Sequence, residues 1–172
     1  LQARDDGGFI RSNTYLYFTI ISNLETVAIV GVFIGLRIAE TIRGKQIISK
    51  PLFVLKFMIT AAMTITFTVA ALLLAPLKDN VYLFSMKNLS LHIIAPILAM
   101  IDFLMIDRGF EYKWKMTFLG FILPLLYLAM TLLISIKGVT YSNGTNFPYY
   151  FLNYREYGWF NLHGMPGVAW WT

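Results

Sequence analysis

Four long, uninterrupted apolar stretches constrain this chain more than any other feature. They run from Tyr17 to Leu36, from Leu52 to Leu77, from Leu89 to Ile106 and from Met116 to Ile136. A helix needs about 20 mostly apolar residues to cross the hydrocarbon core of a bilayer, and each stretch is near or above that length. Barrel strands would alternate apolar and polar residues, which these stretches do not do. The sequence therefore predicts an all-α integral membrane bundle with at least four transmembrane helices.

The composition excludes several other classes of protein. Hydrophobic residues make up 58% of the chain and charged residues only 13%, which is far from the balance of a soluble domain. The absence of Cys excludes disulfides, thiolate metal sites and cysteine nucleophiles. Glycine-rich phosphate loops and paired metal-ligating histidines do not occur, so we expect neither a metal nor a cofactor. Nucleic acid is not an expected partner, because the basic residues lie at helix ends rather than on one face.

The two ends of the sequence and the stretch after the fourth helix bear on its organisation. The chain starts at Leu1 rather than Met, and residues 167–172 read as the start of another apolar segment. We therefore expect a single membrane domain over residues 1–172 and five or six helices in the full protein. Residues 137–166 combine Gly and Pro with many aromatic residues, which predicts a loop in the membrane interface rather than a fifth span.

Lysine and arginine near the helix ends predict the orientation in the membrane. The loops at residues 37–51 and 107–115 are short and rich in both residues. Short loops of this kind face the cytoplasm in most membrane proteins. We therefore expect both of these loops to be cytoplasmic, and the loop at residues 137–166 to be on the opposite side.

Polar side chains inside the apolar stretches indicate where a site could lie, because they are costly in hydrocarbon and normally face the bundle interior. At about 100° per residue, one stripe of the first stretch holds Thr19, Ser22, Asn23 and Thr26. In the third stretch His92 is the only histidine of any span, and Asn88 lies four residues before it on the same face. Pro96 removes the amide that would bond the carbonyl of His92, which predicts an unused acceptor there.

The predicted topology places Thr19 and His92 at the same depth, each about one turn below the outer surface. A hydroxyl and an imidazole within hydrogen-bond reach are the minimum for nucleophilic acyl transfer. Asn23 and Asn88, at neighbouring depth, could stabilise an oxyanion through their amides. Asp102 lies about 15 Å deeper along the helix than His92, so we do not expect it to orient the imidazole directly.

Several of these residues resemble a known arrangement. Tyr17-Phe18-Thr19 opens a span, Asn88 precedes His92 by four residues, Asp102 follows ten residues later, and residues 147–152 read Phe-Pro-Tyr-Tyr-Phe-Leu. Together they resemble the androgen-induced membrane hydrolase family and its bacterial relatives over residues 17–154. The resemblance departs at Pro148, where Tyr is more usual, and at Glu25, where an apolar residue is expected.

The resemblance implies an enzyme that hydrolyses fatty acid esters of hydroxy fatty acids without a cofactor. It implies Thr19 as nucleophile, His92 as base and Asp102 at the position of a family acid. It also implies Pro148, Tyr149 and Phe151 as residues of a lid or cavity. The expected partners are the lipid bilayer and a lipid or fatty acyl ester, and the expected location is a bacterial plasma membrane.

Two other functions fit the same residues. A non-enzymatic membrane subunit or small-molecule permease could use Glu25, His92 and Asp102 to line a polar path. A purely structural protein could use them to hold its helices together. The leading hypothesis is a membrane-embedded lipid ester hydrolase with a threonine nucleophile.

Overall fold

The computed structural model describes residues 12–77, 80–107, 111, 113–163 and 167–170. Within this part of the chain, four helices are long and apolar enough to cross a membrane: Phe18–Arg43, Lys50–Leu74, Met86–Ile106 and Trp114–Ile136. They contain 26, 25, 21 and 23 residues. At about 1.5 Å per residue, each exceeds the roughly 30 Å of a hydrocarbon core. The structure confirms the predicted all-α membrane bundle.

Three of the four spans are built from more than one kind of helical turn. The first is a single α-helix, α1 (Phe18–Arg43). The second is α2 (Lys50–Val69), continued by a π-helical turn (Ala70–Leu74) and a 3-10 turn (Ala75–Leu77). After the short α3 (Asn80–Leu83), the third comprises α4 (Met86–Leu89), a π-helical turn (Ser90–Ile94) and α5 (Ala95–Ile106). The fourth starts as a 3-10 helix (Trp114–Phe121) and continues as α6 (Ile122–Ile136).

The first span is longer than the sequence pattern predicted, and the predicted loop at residues 37–51 is correspondingly shorter. The α-helix continues through Arg43, because Arg37 pairs with Glu40 one turn later at 3.0 Å. Gly44 terminates the helix directly after Arg43. Its φ of +63° suits a glycine, and its N–H donates to the carbonyl of Glu40 at 2.8 Å. The Glu40 carboxylate then accepts the N–H groups of Ile47 and Ile48 at 2.7 and 2.8 Å. The turn that joins the first two spans is therefore residues 44–49.

The chain divides into two compact units, and residues 18–128 form the first, which we call the helical unit. Its apolar core comprises Ile29, Phe33, Ile48, Phe53 and Ile59. The rings of Phe33 and Phe53 meet edge to face with centroids 5.4 Å apart, which joins α1 to α2. The second span is central in this unit, because it contacts α1, α5 and the 3-10 start of the fourth span.

The second unit comprises the described parts of residues 1–17 and 129–172. After Ile136, its helical turns are Tyr150–Leu152, α7 (Tyr154–Tyr157) and Val168–Trp170, each only three or four residues long. Aromatic contacts dominate it: the ring of Tyr17 packs edge to face on those of Tyr141 and Tyr149. Burial, with smaller contributions from the two neighbouring phenols, raises the pKa of Tyr141 to about 12, so this side chain stays neutral at physiological pH.

Candidate functional site

The structure brings Thr19 and His92 together within the helical unit. The hydroxyl oxygen of Thr19 lies 3.1 Å from Nε2 of His92, although 73 positions separate the two residues in sequence. Thr19 is the second residue of α1, and His92 lies in the π-helical turn of the third span. The sequence predicted that the two residues share one depth, and the structure shows them within hydrogen-bond distance. A hydroxyl and an imidazole are thus in hydrogen-bond contact near one end of the helical unit.

The other ring nitrogen of His92 fixes the proton positions in this contact. Nδ1 lies 3.3 Å from the backbone carbonyl oxygen of Asn88. A carbonyl oxygen can only accept, so Nδ1–H is the donor, and the neutral ring carries its lone pair on Nε2. Nε2 can therefore accept the hydroxyl hydrogen of Thr19. This is the tautomer that a general base for Thr19 requires.

Asn23 links the backbone of Thr19 by hydrogen bonds to the π-helical turn that contains His92. Its side-chain amide donates to the carbonyl of Thr19 at 2.7 Å and to the carbonyl of Leu91 at 3.1 Å. Because one amide group bonds both segments, it holds Thr19 and His92 at a fixed separation. We infer that Asn23 is a positioning residue, since its amide is already engaged with backbone carbonyls.

The π-helical turn explains why the carbonyl of Leu91 is accessible to Asn23. In this turn the N–H of Ala95 donates to the carbonyl of Ser90, one residue further back than in an α-helix. Five residues after Leu91 comes Pro96, which has no N–H to donate. The sequence predicted that Pro96 would release the carbonyl of His92. In the structure, the carbonyl that the neighbouring helix uses belongs to Leu91.

Two buried hydroxyls connect the backbone of Thr19 to α2. Ser22 and Thr66 are 0% and 3% exposed, and their hydroxyl oxygens are 3.0 Å apart. The Ser22 hydroxyl also lies 3.2 Å from the carbonyl of Thr19. Thr19 is itself only 7% exposed. Thr19 therefore lies on a backbone that is bonded both to α2 and to the third span, which limits its movement.

Asn88 supports His92 mainly through its backbone. Its side-chain amide donates to the carbonyl of Leu83 at 2.9 Å, and its N–H donates to the hydroxyl of Ser85 at 3.3 Å. Ser85 is the N-cap of α4, so this bond fixes the start of the third span. The oxyanion role that the sequence suggested for Asn88 and Asn23 stays a prediction, and the observed bonds favour a structural role for both.

Asp102 takes part in an ion-pair cluster that was not predicted from the sequence. Nζ of Lys56 lies 2.6 Å from Oδ2 of Asp102 and 2.6 Å from Oδ2 of Asp107. Asp107 also pairs with Arg37 at 3.4 Å. The side chains of Lys56 and Asp107 are 4% and 1% exposed, so these charges are removed from solvent.

The position of Lys56 separates this cluster from the Thr19–His92 contact. Lys56 precedes Thr66 by ten residues in α2, which is about 15 Å along the helix axis. Its Nζ also lies 4.3 Å from the centroid of the Phe33 ring, a cation–π contact. A lysine inside an apolar stretch was a detectable signal in the sequence, because an ionisable residue there needs a partner.

The proposed lid residues lie in the second compact unit. Pro148 is buried there, and the rings of Tyr149 and Phe151 stack with centroids 5.2 Å apart and planes 2° apart. This stacking contact is between two residues of the same segment, residues 147–152. A lid role for Pro148, Tyr149 and Phe151 stays a prediction. Among the residues that the structure describes, no group of three or more His, Asp or Glu side chains could hold a metal ion.

Comparison with known proteins identifies no relative. No protein-family model, no curated protein and no solved structure matches the chain. The resemblance to androgen-induced membrane hydrolases therefore stays a hypothesis from sequence motifs. The geometry of Thr19 and His92 is the structural observation that bears on function.

Proposed function

We propose that this protein is a membrane-embedded lipid ester hydrolase in which Thr19 is the nucleophile and His92 the general base. The observation that carries the proposal is the 3.1 Å contact between the Thr19 hydroxyl and Nε2 of His92. Its support is the 3.3 Å bond that leaves the lone pair of the neutral ring on Nε2. The resemblance of the motifs around both residues points to the same chemistry.

The proposed reaction has two acyl-transfer steps. In the first, the oxygen of Thr19 attacks the ester carbonyl while Nε2 of His92 takes its proton. The tetrahedral intermediate collapses, the ester C–O bond breaks, and the imidazolium gives the proton to the departing alcohol. In the second, His92 takes a proton from water, which attacks the acyl-threonine. The acyl–oxygen bond to Thr19 then breaks, the proton returns to its hydroxyl, and a fatty acid is released.

The start of α1 offers donors for the negative charge of each tetrahedral intermediate. Thr19 is the second residue of this 26-residue helix. The N–H groups of the first turn of a helix have no acceptor within the helix, and they carry the positive end of its dipole. We propose that backbone N–H groups of Phe18–Ile21 serve as the oxyanion donors, since the amide of Asn23 is bonded elsewhere.

A hydrolase-directed fluorophosphonate probe tests this proposal. We expect the probe to react with Thr19 in the wild-type protein, because His92 activates that hydroxyl, and peptide mapping should locate the adduct there. Thr19→Ala should abolish labelling. Thr64→Ala is the matched control, because Thr64 is an exposed threonine of α2 whose hydroxyl bonds only the carbonyl of Thr60 among its described contacts. Labelling that persists in Thr19→Ala, or an adduct at another residue, would contradict the proposal.

The permease or subunit hypothesis gains less support from the structure. Asp102 is paired with Lys56 at 2.6 Å, so its charge is neutralised rather than exposed to a polar path. Glu25 is partly exposed on α1. A permease with the Thr19→Ala substitution would still transport a small molecule into vesicles. The proposed hydrolase would lose its activity, because the reaction needs the hydroxyl of Thr19. The same Thr19→Ala protein therefore distinguishes the two functions.

We also propose that residues 44–49 and the segment after Asp107 face the cytoplasm, in a bacterial plasma membrane. The support is the concentration of Lys and Arg in these short connections and at the helix ends that flank them. Because the chain contains no Cys, single-cysteine labelling reports each position separately. A membrane-impermeant maleimide added to intact cells should leave Lys45→Cys unlabelled and should label Asn143→Cys. Labelling of position 45 from outside would reverse the proposed orientation.

A further inference from the structure

The two basic connections of the helical unit lie at one end of it. Asp107 follows α5, and its carboxylate contacts Lys56, in the second turn of α2, at 2.6 Å. The same carboxylate contacts Arg37, in the second half of α1, at 3.4 Å. Residues 44–49 join α1 to α2, so they lie at the end where α5 stops. We call the surface formed by residues 43–50, 111 and 113–118 the basic end.

The acidic residues near the basic end are occupied by internal contacts. Lys56 pairs with both Asp102 and Asp107. Glu40 pairs with Arg37 and accepts two backbone N–H groups, so its carboxylate oxygens are already engaged within the fold. These carboxylates are therefore directed into the fold and do not neutralise the side chains that project from it.

The side chains that project from the basic end are predominantly cationic. Among the described residues of this surface, the exposed basic side chains are Arg43, Lys45, Lys50, Lys113 and Lys115. The exposed acidic side chain there is Glu111. The five cations thus face a single exposed carboxylate, which leaves a net positive surface.

Aromatic residues place this positive surface at the level of lipid headgroups. Trp114 is 68% exposed and lies between Lys113 and Lys115. Phe118 is 63% exposed, and its ring meets that of Trp114 at a centroid distance of 5.9 Å. Exposed tryptophan at the end of a span marks the boundary between hydrocarbon and headgroups. Arg43 ends α1 and Lys50 begins α2, so their charges lie at a comparable boundary.

We propose that the basic end binds the headgroups of anionic phospholipids. The cationic side chains supply charge complementary to the lipid phosphodiester, and Trp114 and Phe118 insert between the upper acyl segments. Cationic residues next to a span are attracted to an anionic leaflet over about one Debye length. This binding is independent of the proposed hydrolysis, because it uses none of the residues around Thr19 and His92.

Fluorescence quenching by brominated lipids measures this selectivity. The purified full chain is reconstituted in phosphatidylcholine bilayers that contain a minority of either brominated phosphatidylglycerol or brominated phosphatidylcholine. We expect Trp114 to be quenched several-fold more efficiently by the anionic lipid, with the preference lost at high salt. In the variant Lys45→Gln, Lys50→Gln, Lys113→Gln, Lys115→Gln, we expect equal quenching by both lipids. Trp114→Phe identifies the part of the signal that belongs to Trp114.

The matched control changes cations away from the basic end. Lys87 lies at the start of the third span and Lys137 follows the end of the fourth, and both are exposed. Lys87→Gln with Lys137→Gln should retain the wild-type preference. Equal quenching in the wild-type protein, or an equal loss of preference in this control, would overturn the proposal. Inorganic phosphate that displaces the lipid more strongly than chloride at equal ionic strength would also overturn it, because the site would then bind soluble phosphate.

Discussion

Thr19→Ala and His92→Ala are each expected to lower ester turnover by roughly three to six orders of magnitude. The physical reason is the contact at 3.1 Å, in which the hydroxyl is a poor nucleophile until Nε2 of His92 removes its proton. Because the two side chains act as a unit, removing either one removes the same step. The double variant should therefore be scarcely slower than either single variant.

The measurement is turnover of a model fatty acyl ester by the four purified proteins in one detergent, with monodisperse elution as the test of folding. Thr66→Ala serves as a structural control, because Thr66 contacts Ser22 rather than the nucleophile. Thr66→Ala should make the protein less stable in detergent while leaving most of the ester turnover of the folded protein. Mild and additive losses for Thr19→Ala and His92→Ala would show that the two residues are not a catalytic pair.

The membrane-spanning helices could be predicted from sequence because hydrocarbon imposes one simple requirement. Each span must bury its backbone polar groups in its own hydrogen bonds and present apolar side chains, which gives long apolar runs. The end of α1 was misplaced for a related reason. The stretch from Arg37 to Arg43 carries three charged side chains but is helical, since a helix can extend beyond the hydrocarbon into the headgroup region.

The pairing of Thr19 with His92 could be predicted because both lie near the start of spans that run in the same direction, the first and the third. Depth alone suggested that they share a level, and the structure shows that α1 and the π-helical turn also touch there. The bond from Asn23 to Leu91 could not be predicted. It depends on the π-helical turn, which shifts the released carbonyl by one residue and leaves no signature in the hydropathy pattern.

The pairing of Asp102 with Lys56 was missed for a different reason. The sequence placed Asp102 too deep to contact His92, which agrees with its observed partner, but it gave no means of choosing that partner. Lys56 is the single charged residue of the apolar stretch from Leu52 to Leu77, so helix periodicity cannot indicate which neighbouring span it faces. Only the packing of α2 against both α1 and α5 brings it between two carboxylates.

Lys56→Gln is expected to destabilise the protein by about 3 to 5 kcal/mol, the usual effect of removing one partner from a buried ion pair. The Lys56 side chain is 4% exposed and its Nζ contacts both Asp102 and Asp107 at 2.6 Å. Without this cation, Asp102 and Asp107 lose their shared counter-charge, and Asp107, whose side chain is 1% exposed, retains only Arg37. Thermal unfolding in one detergent should show a decrease of several degrees in Tm.

Two further variants separate loss of charge compensation from loss of packing. Lys50→Gln removes an exposed cation at the start of the same helix and should leave Tm nearly unchanged, as exposed charges contribute little. Lys56→Met combined with Asp102→Asn and Asp107→Asn removes the uncompensated charges. It should recover much of the lost stability, because neutral residues of similar volume often replace a buried ion pair at small cost. If Lys56→Gln unfolds at the wild-type temperature, water must reach the two carboxylates, and the cluster is not a buried support of the bundle.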